Sequence, residues 1–274
     1  VGLFYYAGAT TPTAQISDFV QKFDGVIITT NNEGSSYNLN TLVSRINDFW
    51  NTQSGFQIIV EIPNPSGART YSYMKDRLDE IESAVSAKVS GYYLVPEGAP
   101  SMWNNQASDS TYCKDNVRDI VSDIKDLDKY AVWIPVEPQM NFNYMDLCES
   151  HIDFTNIAPQ PHYYQVGNST PTDALRPSGM TYNDLKTFMA NCKSRGWGVE
   201  FECDKAIASG TTENCGCGSG VPCVKRAANY YCAADAEGPF SYIYHYMSTE
   251  IGAYNVVKAY HTITPCPAAG YTTC

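Results

Sequence analysis

The segments 91-GYYLVPEG-98 and 198-GVEFECD-204 each leave a glycine, run through apolar or aromatic residues and finish on a carboxylate. Six further stretches follow a similar plan: 2-GLFYYAG-8, 25-GVIITTN-31, 56-FQIIVEIPN-64, 130-YAVWIPVEP-138, 155-TNIAPQPHYY-164 and 240-FSYIYHY-246. Their aromatic and β-branched content, bounded by Gly, Asn, Pro or acid, predicts strands. Between them the period changes from two to 3.6. Met74, Leu78, Ile81 and Val85 mark a helix within 70–88, and Val117, Ile120, Val121 and Ile124 mark one within 111–129. Leu185, Phe188 and Met189 do the same in 181–194, as do Ile251, Tyr254 and Val257 in 249–262. Weaker helical patterns cover 13–23, 38–52, 141–150 and 221–236. Strict strand–helix alternation, eight times over, predicts one α/β domain across 1–274, a (β/α)8 TIM barrel.

The 274 residues suit this fold, which takes roughly 250. Lys and Arg total 18 against 29 Asp and Glu, a formal net charge of -11. That balance argues against nucleic acid, which demands clustered positive charge. No apolar run approaches the roughly 20 residues of a membrane-spanning helix.

Ten cysteines, at 113, 148, 192, 203, 215, 217, 223, 232, 266 and 274, imply an oxidising compartment and disulfide-stapled loops. Together with Val1 at the first position, where a removed export signal would leave it, they predict a secreted, extracellular protein. Neighbouring elements suggest the pairs Cys113–Cys148, Cys192–Cys232 and Cys266–Cys274, with Cys203 tied to the 215–223 loop and all ten oxidised. Cys215, Cys217 and Cys223 lack the paired spacing of common zinc sites, so neither metal nor cofactor is expected. Asn168-Ser169-Thr170 is an N-glycosylation acceptor pattern.

Chemistry is expected at the C-terminal strand ends, where this fold places its active sites. Alternation along the seventh strand sets Glu200, Glu202 and Asp204 on one face and Val199, Phe201 and Cys203 on the other. The apolar set should meet the helices and the acids the barrel mouth. Glu97 closes the fourth strand, across that mouth from Glu202. Two carboxylates facing a cleft suit glycosidic cleavage, one donating a proton to the leaving oxygen while the other attacks the anomeric carbon or activates water. Glu97 is therefore the candidate acid/base and Glu202 the candidate nucleophile. Expected substrate contacts are Tyr6, Trp133, Glu137, Gln160, His162, Tyr163, Asp204 and Tyr244, since sugar rings pack on aromatic faces and polar tips reach their hydroxyls. The strand-three acid Glu61 is noted beside them. No phosphate-binding glycine loop, serine elbow or histidine metal pair is present in the sequence.

At these residues the chain resembles a bacterial family of secreted, glycosidase-like (β/α)8 proteins of largely unassigned function. That family shows a Glu closing strand four, Trp-Ile-Pro in strand five, Gln-Pro-Asn-Tyr in strand six and Glu-x-Glu in strand seven. The matching residues are Glu97, Trp133-Ile134-Pro135, Gln160-Pro161-His162-Tyr163 and Glu200-Phe201-Glu202. His162 stands where the family has Asn. More broadly the chain is similar to retaining glycosidases with acids on strands four and seven, but Pro96 replaces their usual Asn before the strand-four Glu. The resemblance implies a carbohydrate-active barrel acting on an oligo- or polysaccharide. The alternative is a catalytically inactive extracellular binding or assembly subunit on the same scaffold, for which low charge content (17%) and many tyrosines suit contacts, self-association included.

Overall fold

In the computed structural model, the residues described are 2–6, 13–29, 37–62, 70–94, 115–135, 142–161, 181–203, 223–247 and 251–271. The chain forms two compact units: Val1–Pro135 with Phe142–Ile157, and Val136–Asn141 with Ala158–Cys274.

The first unit carries strands β1 (Gly2–Tyr6), β2 (Gly25–Thr29), β3 (Gln57–Glu61), β4 (Gly91–Leu94), β5 (Tyr130–Trp133) and β6 (Asn156–Ile157). All pair in parallel and in chain order, from Gly2↔Gly25 through Glu61↔Tyr93 to Trp133↔Ile157. The order never reverses, unlike that of a doubly wound sheet, which turns back at a switch point. Strands β2 and β4 are buried at every position, as expected of parallel strands covered on both faces. The connecting helices are α1 (Thr13–Val20), α2 (Leu39–Thr52), α3 (Tyr71–Val85), α4 (Asp115–Asp126) and α5 (Phe142–Ile152), each packed on the next.

Local chemistry sets the helix starts. The Asn38 side chain accepts from the Thr41 amide at 3.1 Å, and that of Thr70 from the Tyr73 amide at 3.3 Å; each satisfies a donor the first turn would leave open. The apolar stripe of α3 is Met74, Leu78, Ile81 and Val85, the set its periodicity predicts. Phe49 of α2 stacks on Phe56 at 5.9 Å, and Phe19 of α1 meets both edge-on. Such offset and edge contacts suit the ring quadrupoles.

One polar knot lies near the N-terminal ends of β4 and β5. Lys129 is almost enclosed, with 8% of its side chain exposed, and its ammonium reaches Glu82 Oε1 at 2.8 Å. It also donates to the carbonyls of Ser86 (2.7 Å) and Val89 (3.0 Å), so each of its three protons has an acceptor. Glu82 accepts as well from Ser86 Oγ at 2.5 Å and from the Tyr92 hydroxyl. Burial pushes the Glu82 carboxyl upward, but the hydrogen bonds from Lys129, Ser86 and Tyr92 and the charge of Lys129 outweigh it and hold the group below its usual value of 4.5. A depressed carboxyl contributes stability above its unfolded value and loses it as pH falls through its folded one. The urea midpoint should therefore decline as pH is lowered from 4.5, and Glu82→Gln should flatten that decline. Identical midpoint-versus-pH slopes for the two proteins would refute it.

The second unit contains α6 (Tyr182–Ser194), β7 (Val199–Cys203), α7 (Cys223–Glu237), β8 (Ile243–Met247) and α8 (Ile251–Ile263). Strands β7 and β8 are parallel from Val199↔Ile243 to Cys203↔Met247. Helix α7 packs on both α6 and α8. A capping box opens α6: the Asp184 amide donates to Thr181 Oγ1 (3.2 Å) and the Thr181 amide to Asp184 Oδ2 (2.8 Å). The backbone hydrogen bond from Thr181, then that from its hydroxyl, lowers the Asp184 pKa. Buried Asn229 of α7 pairs with Tyr271 beyond α8, accepting from its amide at 2.7 Å and donating to its carbonyl at 3.2 Å.

The two strands start where space is short. A Cβ on Gly198 would lie 2.2 Å from the Tyr242 ring and 2.6 Å from the Tyr242 carbonyl oxygen. Gly198→Ala should therefore destabilise the protein by about 1–3 kcal/mol, the usual cost of overpacking. An unchanged denaturant midpoint would show that Tyr242 yields freely.

The cysteines depart from expectation. Cys232 pairs with Cys266, not with Cys192, so the Cys192–Cys232 and Cys266–Cys274 pairs are both corrected. Cys192 is a buried free thiol, which also overturns complete oxidation. It continues the buried α6 stripe of Leu185, Phe188 and Met189 and is fully enclosed, so the sulfur serves as core rather than as a bridge to α7. Burial raises its pKa well above that of a free thiol, which keeps it in the unreactive protonated form. Cys148 is disulfide-bonded, while Cys113 and the 215–222 loop lie outside the described residues. No described helix is long and apolar enough to cross a membrane.

Candidate functional site

Among the described residues of the second unit, the buried acids Glu200 and Glu202 both lie on strand β7. They are 1% and 2% exposed, and Val199 and Phe201 are buried too, so the strand is enclosed on both faces. Register sets Glu200 beside Tyr244 and Glu202 beside Tyr246 on β8, and Phe201 beside His245. The Phe201–His245 side is covered by helices. Phe201 meets Tyr230 and Tyr231 of α7 at 5.5 and 4.9 Å, and His245 meets Tyr254 of α8 at 5.3 Å. This is the helix-facing role expected of Phe201. Burial, then the nearby Lys258 charge, drives the His245 pKa down to about 3. The imidazole is neutral at any ordinary pH.

Glu202 is held by a residue that sequence reasoning did not single out. The Tyr230 hydroxyl donates to Glu202 Oε2 at 2.6 Å, and both groups are buried. A hydrogen bond to a carboxylate out of water is of the stronger, charge-assisted kind. It fixes the orientation of the carboxylate while leaving the second oxygen, Oε1, outside this particular bond. Tyr230 stands 28 positions downstream, in a helix whose pattern is only weakly periodic, so nothing in the spacing pointed to it.

Other expected contacts are placed by the same elements. Gln160, 4% exposed, follows a backbone link in which the Glu200 amide donates to the Pro159 carbonyl at 3.1 Å. Tyr244 is 2% exposed and lies edge-on to Tyr242 at 5.7 Å. The second unit thus brings Gln160, Glu200, Glu202 and Tyr244 onto β7, β8 and the segment paired with β7. In the first unit Trp133, at the end of β5, stacks on Phe154 at 5.1 Å and is 1% exposed, so its ring is in packing contact there. Glu61 ends β3 and is also buried. Tyr6 closes β1 opposite Thr29, with its side chain outside the described set. Glu97, Glu137, His162, Tyr163, Asn168 and Asp204 lie outside the described residues.

No protein-family model and no curated protein matches the chain. Solved structures do, and those resembling it include TIM-barrel proteins. One is a GH18 chitinase from Pseudoalteromonas aurantia, matched at TM-score 0.58 and 13% identity over 96% of this chain and 99% of that one. Fungal β-1,4-galactanases match at 0.54 and 12% over 89% and 83%. The cellulose synthase subunit Z of Clostridioides difficile matches at 0.53 and 8% over 93% and 99%. A deoxyribose phosphate aldolase from Aeropyrum pernix also matches, at 0.50 and 12% over 96% and 90%. The chain spans 43% of a matching enolase from Pseudomonas fluorescens Pf0-1. At these identities the likeness is one of fold, a mixed α/β fold with parallel strands, and fold alone does not assign chemistry.

Proposed function

We propose that the chain is a single (β/α)8 barrel and an exported, carbohydrate-active protein: a glycoside hydrolase with Glu202 as nucleophile and Glu97 as general acid/base. The observation that carries the reading is the carboxylate of Glu202 at the end of β7, buried and oriented by Tyr230. Burying an acid is costly without a partner or a task, and a fixed carboxylate at a strand end is what displacement at an anomeric carbon needs. Strands paired in chain order without reversal support the barrel, as do barrel-like neighbours that include a chitinase and galactanases.

In this mechanism Glu97 protonates the leaving oxygen while Glu202 attacks the anomeric carbon. Glu97 then takes a proton from water, which releases the sugar and restores Glu202. Retention requires the two carboxyls to stand about 5–5.5 Å apart, and inversion about 6.5–9.5 Å. Gln160, Tyr244, Trp133, Tyr6, Glu137, His162, Tyr163 and Asp204 remain the proposed substrate contacts, and Asn168 the proposed glycan site. The Cys232–Cys266 bridge supports export, since such bonds persist in oxidising compartments.

Screening the protein on a panel of polysaccharides for new reducing ends tests the proposal, with the Glu97→Gln/Glu202→Gln double variant as control. Release by the parent alone is expected. Equal release by both, or none on any glycan, would overturn it. The near-complete burial of Glu202 favours a second reading, a binding or assembly subunit in which the acid is structural. Binding of a glycan without cleavage, unchanged in the double variant, would select that reading.

A further inference from the structure

A second group of reactive side chains lies at the seam of α7, α8 and the segment after α8. Cys232 is on α7, His261 on the last turn of α8 and Cys266 five residues beyond it. Their two sulfurs and an imidazole nitrogen all lie within 4.8 Å of one another. A fourth donor is at hand: Asp235, one helical turn after Cys232, sits with Oδ2 at 3.1 Å from His261 Nε2. The spacing reads Cys-x2-Asp on one helix and His-x4-Cys at the end of the next.

We propose that this cluster is a zinc site whenever the Cys232–Cys266 bridge is open, so that disulfide and metal are alternative cross-links at one place. Zinc takes four nitrogen, sulfur or carboxylate donors in a tetrahedron, with bonds of about 2.3 Å to sulfur and 2.0–2.1 Å to imidazole. Those bond lengths put neighbouring donor atoms roughly 3.5–3.8 Å apart. The two sulfurs and the imidazole nitrogen lie within 4.8 Å of one another, so the sulfurs have to part, the donors to close in by up to about an ångström, and Asp235 to swing in as the fourth. Cys266 can move to allow it, because it lies outside helix and strand and is exposed. Cys232 and His261 are held by their helices, and Asp235 is exposed enough to turn from the His261 nitrogen to the metal.

The open state arises before the bridge first forms, or when a dithiol reductant reopens it. In the latter case the dithiol passes two electrons and two protons to the bridge and becomes a cyclic disulfide, leaving two cysteine thiols. Binding zinc then releases both thiol protons to solvent, because the metal takes thiolates. Either cross-link joins the segment after α8 to α7, so the join survives a change of redox conditions. The inference is independent of any activity on glycans.

Cobalt(II) serves as the probe, because thiolate–cobalt charge transfer is visible and zinc displaces it. Parent protein and three variants, His261→Ala, Asp235→Asn and Cys232→Ser/Cys266→Ser, are compared oxidised and after reduction by a dithiol that is then removed without air. His261→Ala and Asp235→Asn keep the bridge and can be checked for native circular dichroism before reduction. The other cysteines bind any background cobalt equally in all four proteins, so the readout is the difference. The reduced parent should bind one more equivalent than the Cys232→Ser/Cys266→Ser variant. His261→Ala should weaken that equivalent at least tenfold, and Asp235→Asn by less. The oxidised parent should lack it. Equal stoichiometry in the reduced parent and the cysteine variant would overturn the proposal, as would affinity indifferent to His261.

Discussion

Replacing Glu202 by Gln is expected to lower kcat on the responsive polysaccharide by about 10⁴–10⁶-fold, the span that removing one member of a nucleophilic catalytic unit costs. Gln keeps the volume of the side chain, and its amide oxygen still accepts from Tyr230, so the urea midpoint should move little. What the change removes is the negative charge that attacks the anomeric carbon. Initial rates at saturating substrate are the measurement. A variant with parental kcat would show that Glu202 is a structural acid, and would leave its hydrogen bond to Tyr230 as its role.

The second large effect belongs to the opposite kind of residue, one with no part in chemistry. Lys129→Ala should destabilise the protein by about 3–5 kcal/mol, as breaking one side of an enclosed ion pair generally does. The reason lies in what stays behind. Glu82, with only 12% of its side chain exposed, loses its counter-ion, the Val89 carbonyl loses the Lys129 donor, and the Ser86 carbonyl is left with the Val89 amide alone. Adding Glu82→Gln to Lys129→Ala should recover part of the loss, because the orphaned charge is then gone. Urea unfolding of the two single variants and the double closes the cycle. Additive penalties would mean that the pair is uncoupled and the argument wrong.

The alternation of strands and helices was legible because each kind of element repeats its burial at its own period. Met74, Leu78, Ile81 and Val85 fell on the buried face of α3 as their spacing demanded. Strand lengths were less legible. The sequence run 155–164 reads as extended throughout, but among its described residues, 155–161, only Asn156 and Ile157 form β6, since Pro159 and Pro161 cannot donate to a ladder. The disulfides were misread for a geometric reason. Adjacency of two helices says nothing about which way a cysteine faces, and Cys192 at the end of the Leu185–Phe188–Met189 stripe faces the core. That stripe was available in the sequence and was the better guide. At the site, Phe201 takes the helix-facing place its apolar character predicts, against Tyr230 and Tyr231. Tyr230 could not be found that way, because its contact with Glu202 depends on how α7 packs against β7 rather than on any local period.

The pairing of Asn229 with Tyr271 bears on how the molecule breathes. An amide exchanges its proton with solvent only when its hydrogen bond opens, and irregular segments usually open first. The Tyr271 amide belongs to such a segment, yet its acceptor is the fully buried side chain of a residue in the middle of α7. Its proton can be reached only when that helix loosens, or when the chain between Cys266 and Tyr271 pulls free of it. In deuterated water the Tyr271 amide should therefore keep its proton nearly as long as the amides of α7 do, far longer than those of exposed neighbours such as Ala268 and Ala269.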